Sequence, residues 1–175
     1  MPTDPARPIA LIGLMGAGKT TVARALGERL GVSVADLDAM LVAEAGRTIP
    51  ALFEEQGEPE FRRRERLMLE RALAAQVRVL ACGGGIVTDA GSRALLAERC
   101  TVVWLMVSPA VAAERIRHEV AHRPLAAGAD LAGRLAVLER ERAEWYAGLA
   151  TWRVDTDHRT GTQVVDAVLA ALSEA

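Results

Sequence analysis

The chain has 175 residues, 51% apolar and 25% charged, the mix of one ordinary globular domain spanning 1–175. A formal net charge of −2 argues against a protein built to hold nucleic acid by electrostatics. Two cysteines, Cys82 and Cys100, are too few for a disulfide framework or a structural zinc site, and an apolar run such as 102–107 falls far short of the roughly 20 residues that span a bilayer.

A strand over 8–12 leads into a helix over 19–30. A second strand, 32–36, is followed by helices over 37–45 and 48–56 and a longer charged helix over 58–75. A strand over 77–82 precedes a helix over 89–99. A strand rich in β-branched residues follows over 101–107, then a helix over 109–119. The chain closes with a helix over 131–146, a short strand over 152–154 and a helix over 162–172. Strands alternating with helices imply right-handed crossovers, hence an α/β fold: a parallel sheet between two helical layers. Ligands in such folds sit beyond the carboxyl ends of the strands. Residues 9–17 imitate the apolar part of a secretion signal, but only Arg7 charges the region before them and two glycines interrupt them. The two cysteines therefore read as free buried thiols of a cytoplasmic protein.

The loop after the first strand is Gly13-Leu14-Met15-Gly16-Ala17-Gly18-Lys19-Thr20, a match to G-x-x-x-x-G-K-[ST] between a strand and a helix. Its glycines let backbone N–H groups converge on phosphate oxygens, and the following helix adds the positive end of its dipole. Lys19 is expected to reach the β- and γ-phosphates of ATP and the Thr20 hydroxyl to ligate Mg²⁺, with Gly13, Gly16, Ala17, Gly18 and Thr21 completing the nucleotide site. Of 21 basic residues, 20 are Arg and only this one is Lys. A compact ammonium fits inside a closed loop where a planar, forked guanidinium does not. A dinucleotide-binding turn is the rival, with Asp36 or Asp38 as its acid, but the glycine order is G-x-x-G-x-G and Lys-Thr follows at once.

Asp36 and Asp38 end the second strand. In extended chain both side chains leave on one side, where they could hold hydrated Mg²⁺ and accept a proton from an attacking hydroxyl. Alternatively, Asp38 caps the next helix. In Phe61-Arg62-Arg63-Arg64-Glu65-Arg66, Glu65 falls on the apolar face and needs a partner, and Arg62, three residues back, can reach it. An arginine fixed this way is a prepared receptor for a carboxylate, although a solvated charged face is the plainer reading. Gly83-Gly84-Gly85 lets backbone lie directly against a ligand, or is simply a flexible turn.

The cradle, Asp-x-Asp, Phe-Arg-x-x-Glu and Gly-Gly-Gly occur in an order and spacing that resemble the shikimate kinase family. Arg123-Pro124-Leu125 looks like the family's lid signature, and Val154-Asp155-Thr156 like the segment leading into its adenine-binding loop. The resemblance covers roughly 9–172. It implies a nucleoside-monophosphate-kinase-like fold with a five-stranded parallel sheet. It also implies transfer of the ATP γ-phosphoryl to the 3-hydroxyl of shikimate, a step toward chorismate and the aromatic amino acids. By motif, Asp38 would bind the reacting hydroxyl and act as base, and Asp36 would hold Mg²⁺ through water beside Thr20. Arg62 and Arg142 would bind the shikimate carboxylate, with the backbone of Gly83, Gly84 and Gly85 lining the pocket. Arg123 would swing in with a lid over about 120–131 and neutralise phosphate charge, Arg115 would stack on adenine, and about 33–62 would form the substrate-binding region. ATP and shikimate are the expected partners, with no nucleic acid and no membrane, and the protein is expected to be a monomer.

The chain departs from the family's usual Arg-x-Pro-Leu-Tyr at Arg142-Ala143-Glu144-Trp145-Tyr146. Without the proline the helix is expected to run on, Glu144 adds a negative charge near the receptor, and Arg140 becomes a substitute for Arg142. Two other functions fit parts of the pattern. One is a kinase of a different hydroxy acid, such as a sugar acid, since Arg62 and Asp38 ask only for a carboxylate near a hydroxyl. The other is a non-catalytic sensor domain of a transcription regulator. That reading expects a DNA-binding segment in front, whereas eight residues precede Ile9.

Overall fold

The computed structural model describes residues 7–120 and 130–173. Its strands β1 (Ile9–Ile12), β2 (Val34–Asp36), β3 (Val79–Ala81), β4 (Thr101–Met106) and β5 (Trp152–Asp155) form one sheet in the order β2-β3-β1-β4-β5, and every pairing is parallel. The described helices are α1 (Lys19–Leu30), α2 (Leu37–Ala45), α3 (Ile49–Ala74), α4 (Ala90–Arg99), α5 (Pro109–Val120), α6 (Leu131–Leu149) and α7 (Gly161–Ser173). None of them is long and apolar enough to cross a membrane.

Alternation along the strands builds two cores. Ala10, Ile12, Leu80 and Val102 face Leu41, Leu52, Phe61, Met68, Leu96 and Tyr146 on one side of the sheet. Leu11, Val79, Val103 and Leu105 face Val22, Leu26, Ala112, Val164 and Val168 on the other. These are the expected three layers, and with both faces covered the central strands β1, β3 and β4 are almost wholly apolar, while edge strand β5 carries exposed Arg153 and Asp155. The register sets Asp36 and Leu11 level with Ala81. The loops leaving β2, β3 and β1 therefore emerge together at one edge.

The boundaries differ from the sequence reading where caps intervene. β2 starts at Val34 because Val32 N–H still bonds the Gly27 carbonyl (3.0 Å) to finish α1. β3 starts at Val79 because Val77 N–H bonds Ala72 O (3.1 Å), part of the C-terminal cap of α3. The two expected helices over 48–56 and 58–75 join as α3, broken where expected, at Gly57 (φ 74°, ψ 169°), with Pro59 just beyond. α6 runs past 146 to Leu149, as the missing proline allows. A short 3-10 turn, Ile86–Thr88, follows the three glycines, closed by Ile86 N–H on Gly83 O (3.1 Å) and Thr88 N–H on Gly85 O (2.9 Å). Cys82 and Cys100 are free and buried.

Candidate active site

The loop between β1 and α1 is pressed against its neighbours. Gly13 (φ 138°) and Gly16 (φ 79°) take backbone conformations that side chains resist, and a Cβ on Gly16 would lie 2.7 Å from the Ala112 carbonyl oxygen. Lys19 starts α1 and folds back over this loop, its Nζ donating to Gly13 O (2.9 Å) and Leu14 O (2.7 Å). The side chain keeps some exposure, but its ammonium is enclosed. That burial lowers its pKa to about 8, and the carboxylates of Asp38 and Asp36 oppose the shift. Next to it, Thr20 Oγ1 donates to Asp36 Oδ2 (2.5 Å).

Asp36 also caps α2, its Oδ1 accepting from Ala39 N–H (3.0 Å). The capping residue is thus Asp36, not Asp38. Nor do the two acids share an extended segment, since the chain turns helical at Leu37. Both still line one cleft of about 440 Å³ with Met15, Gly16, Gly18, Lys19, Thr20, Thr21, Cys82 and Gly84. Relieved of capping, Asp38 lies against the glycine loop. A Cβ on Gly83 would fall 2.6 Å from Asp38 Oδ1 and closer still to Glu65 Oε1. Burial, and then the negative charge of Asp36, raise the Asp38 pKa, against Lys19 and Arg62, which lower it. A buried carboxylate with raised proton affinity is a better base than a solvated one.

Arg62 has its side edge and its inner nitrogen occupied. Its Nε (3.2 Å) and Nη2 (3.0 Å) donate to Glu58 Oε1, and its Nη1 donates to buried Glu65. The Arg62–Glu65 pair is the one that spacing predicted. The Arg62 Cζ lies 5.3 Å from the ring centroid of Phe61 and 5.6 Å from that of Phe53, and the two rings stack on each other. The remaining edge, Nη1 with Nη2, points at Gly85, where any Cβ would collide with both nitrogens. Two glutamates thus fix the guanidinium against the glycine loop, in one orientation. Burial raises the pKa of Glu65 to about 6, and the positive charge of Arg62 limits that rise.

From α6, Arg142 Nη1 (3.1 Å) and Tyr146 Oη (2.5 Å) both donate to the Gly84 carbonyl. Arg142 Nε is buried with no protein partner, while Arg140 and Glu144 are exposed. The arginine brought to the glycine loop is therefore Arg142. Arg115 lies behind the cradle, its Nη1 donating to Gly16 O (3.2 Å) and Thr156 Oγ1 (3.0 Å). Arg123, and with it residues 121–129 of the expected lid, lies outside the described residues.

Three contributors went unnoticed in the sequence. Glu58 is one helical turn before Arg62, a spacing that could have revealed it. Tyr146 follows Arg142 by four and shares its face of α6. Phe53 meets Arg62 only because α3 bends at Gly57, which no local spacing shows.

The chain is similar to known proteins over most of its length. The family model for shikimate kinase matches residues 15–173. A shikimate kinase of Symbiobacterium thermophilum is 42% identical over 167 residues, 95% of this chain and 96% of the relative. One of Thermobifida fusca is 45% identical over 170 residues, 97% of each chain. Among solved structures, a shikimate kinase of Acinetobacter baumannii in complex with shikimate superposes with a TM-score of 0.86 at 34% identity, covering 96% of this chain and 93% of that one.

Proposed function

The chain belongs to the shikimate kinase family, and from that footing we propose how its residues divide the work. It is an ATP-dependent kinase that transfers the γ-phosphoryl group to the 3-hydroxyl of shikimate, giving shikimate 3-phosphate and ADP, in the pathway to chorismate. The observation that carries the assignment of roles is the meeting of Asp38 and the Lys19 cradle in one cleft, with the guanidinium of Arg62 fixed beside them against Gly85.

In this reading the cradle N–H groups, Thr21 and Arg115 hold ATP, and Lys19 leaves its loop carbonyls to meet the β- and γ-phosphates. The shikimate carboxylate takes the guanidinium of Arg62 and the unpaired Nε side of Arg142, while the backbone of Gly83–Gly85 lines the ring. That placement brings the acceptor hydroxyl to Asp38, which receives its proton. Arg123 and a lid over about 120–131 close the site against water, which would otherwise hydrolyse ATP. Positioning and charge neutralisation supply most of the catalysis. The reading also takes 1–175 as one domain with substrate-binding region 33–62, acting as a monomer without nucleic-acid or membrane partners.

Mg²⁺ fits the donors present. The Thr20 hydroxyl and the Asp36 carboxylate are hard oxygens side by side. Among the described residues no cluster of three metal-ligating side chains exists, as suits an ion that draws most of its ligands from phosphates and water. Bound there, the ion would neutralise phosphate charge.

The test is ATP consumption with shikimate, quinate and gluconate, with and without Mg²⁺. Turnover that needs both shikimate and Mg²⁺ supports the reading. Faster turnover with gluconate would move the acceptor to the sugar acids, and shikimate binding with no ATP turnover would revive the sensor.

A further inference from the structure

We propose that Trp145 is a positioning residue for the acceptor substrate, acting through Arg93 on the segment that follows the three glycines. The inference rests on the assignment of Gly83–Gly85 to the shikimate pocket.

Residues 84–88 are held at both ends from α6. At the front, the Gly84 carbonyl accepts from Arg142 Nη1 (3.1 Å) and Tyr146 Oη (2.5 Å). At the rear, Arg93 Nη1 donates to Val87 O (2.7 Å) and Thr88 O (3.1 Å), the carbonyls that end the 3-10 turn. Arg93 belongs to α4, but its guanidinium lies 5.1 Å from the centroid of the Trp145 ring, which comes from α6. Arg142, Trp145 and Tyr146 stand at i, i+3 and i+4, one face of one helix. A single face therefore grips the front of the segment directly and its rear through a cation stacked on an aromatic ring.

The segment begins with glycines, whose backbone has the most freedom to lose, and it carries Gly85, against which the guanidinium of Arg62 lies. Ile86 and Val87 anchor the segment in the core, so losing the rear grip frees only its carbonyls and shifts the turn slightly, enough to change the distance between the Arg62 guanidinium and the pocket floor. The cradle packs on this segment at Gly84, the end that Arg142 and Tyr146 hold, and the effect of Trp145 falls on the other end, away from the nucleotide. Trp145 is 37% exposed, so its contact with Arg93 is partly solvated. A cation–π contact at such a site is worth about 2- to 5-fold in an equilibrium constant.

The experiment is steady-state kinetics on Trp145→Leu, Trp145→Phe, Arg93→Met and the double variant Trp145→Leu/Arg93→Met. The expected result has three parts. Trp145→Leu raises the KM for shikimate about 2- to 5-fold, with kcat and the KM for ATP unchanged. Trp145→Phe, which keeps a ring over the cation, restores most of it. The double variant costs no more than Arg93→Met alone, since the two act in series. An unchanged shikimate KM in Trp145→Leu, an equal rise in both KM values, or additive effects in the double variant would each overturn the inference. Arg142→Lys, measured alongside, separates this from the reading beneath it. A raised shikimate KM there with none in Trp145→Leu rejects only the tie, whereas no change in either rejects the placement of shikimate as well.

Discussion

Gly83→Ala tests whether Asp38 works from the position it holds. Gly83 is not among the residues with left-handed backbone, so alanine costs nothing in φ and the effect is steric. The added methyl would stand 2.6 Å from Asp38 Oδ1 and still nearer Glu65 Oε1, where ordinary contact begins near 3.4 Å. Either the two carboxylates or the glycine loop must therefore give way by about 1 Å, a displacement that at a reacting centre costs about 100-fold in rate. Overpacking of this size costs about 1–3 kcal/mol of stability, which a domain of ordinary stability survives. Shikimate-dependent ADP release measures the loss, while calorimetric titration with ATP and a melting curve confirm that the cradle and fold remain. The expected result is a kcat lower by about 100-fold with nucleotide affinity intact. Near-normal turnover would refute the reasoning, because Asp38 could then not be acting from its place against the Gly83 backbone.

Lys19→Arg keeps the charge but exchanges a compact ammonium for a broad fork inside a closed loop; ADP release is expected to collapse, and full activity would undo the explanation of the lone lysine. The value of kcat/KM for ATP, which reports the free enzyme, is expected to fall as pH rises through about 8 and Lys19 loses its proton, so a flat profile up to pH 9 would contradict the enclosure of that ammonium. The same shift bears on stability. The folded state binds the Lys19 proton less tightly than the unfolded chain, so folding carries a penalty below about 8 that is relieved toward 10.5, and Lys19→Met is expected to raise Tm at neutral pH. On the acid side, Glu65 takes up a proton below about 6 and loosens Arg62; the KM for shikimate is expected to rise there, and Glu65→Gln to give the raised value at every pH.

Much of the fold was legible because burial on both faces makes the central strands apolar, and because the helices between them carry their own start and stop signals. The break in α3 is one such signal, since Gly57 and Pro59 stand in the sequence where the helix bends. The cradle was legible for a similar reason: its chemistry lies within eight consecutive residues. The Asp pair shows where local reading ends. A spacing of two predicts a shared side only while the chain stays extended, and the helix begins between the two acids. Asp36 then takes the cap and the Thr20 hydroxyl, which leaves Asp38 for the glycine loop. The pairing of Arg62 with Glu65 was local and therefore visible, whereas the seat of its guanidinium depends on Gly85, which follows another strand. The same holds for the Gly84 carbonyl as anchor of Arg142 and Tyr146, a contact across 58 and 62 residues of sequence.

The assignment of Asp38 as the base that receives the shikimate hydroxyl proton meets its most direct test in the Asp38→Asn variant, assayed for shikimate-dependent ADP release with ATP binding followed by calorimetry. Asparagine keeps the shape and removes the proton acceptor. Abolished transfer with ATP bound as tightly as before is the predicted result; turnover near that of the unsubstituted enzyme would contradict it.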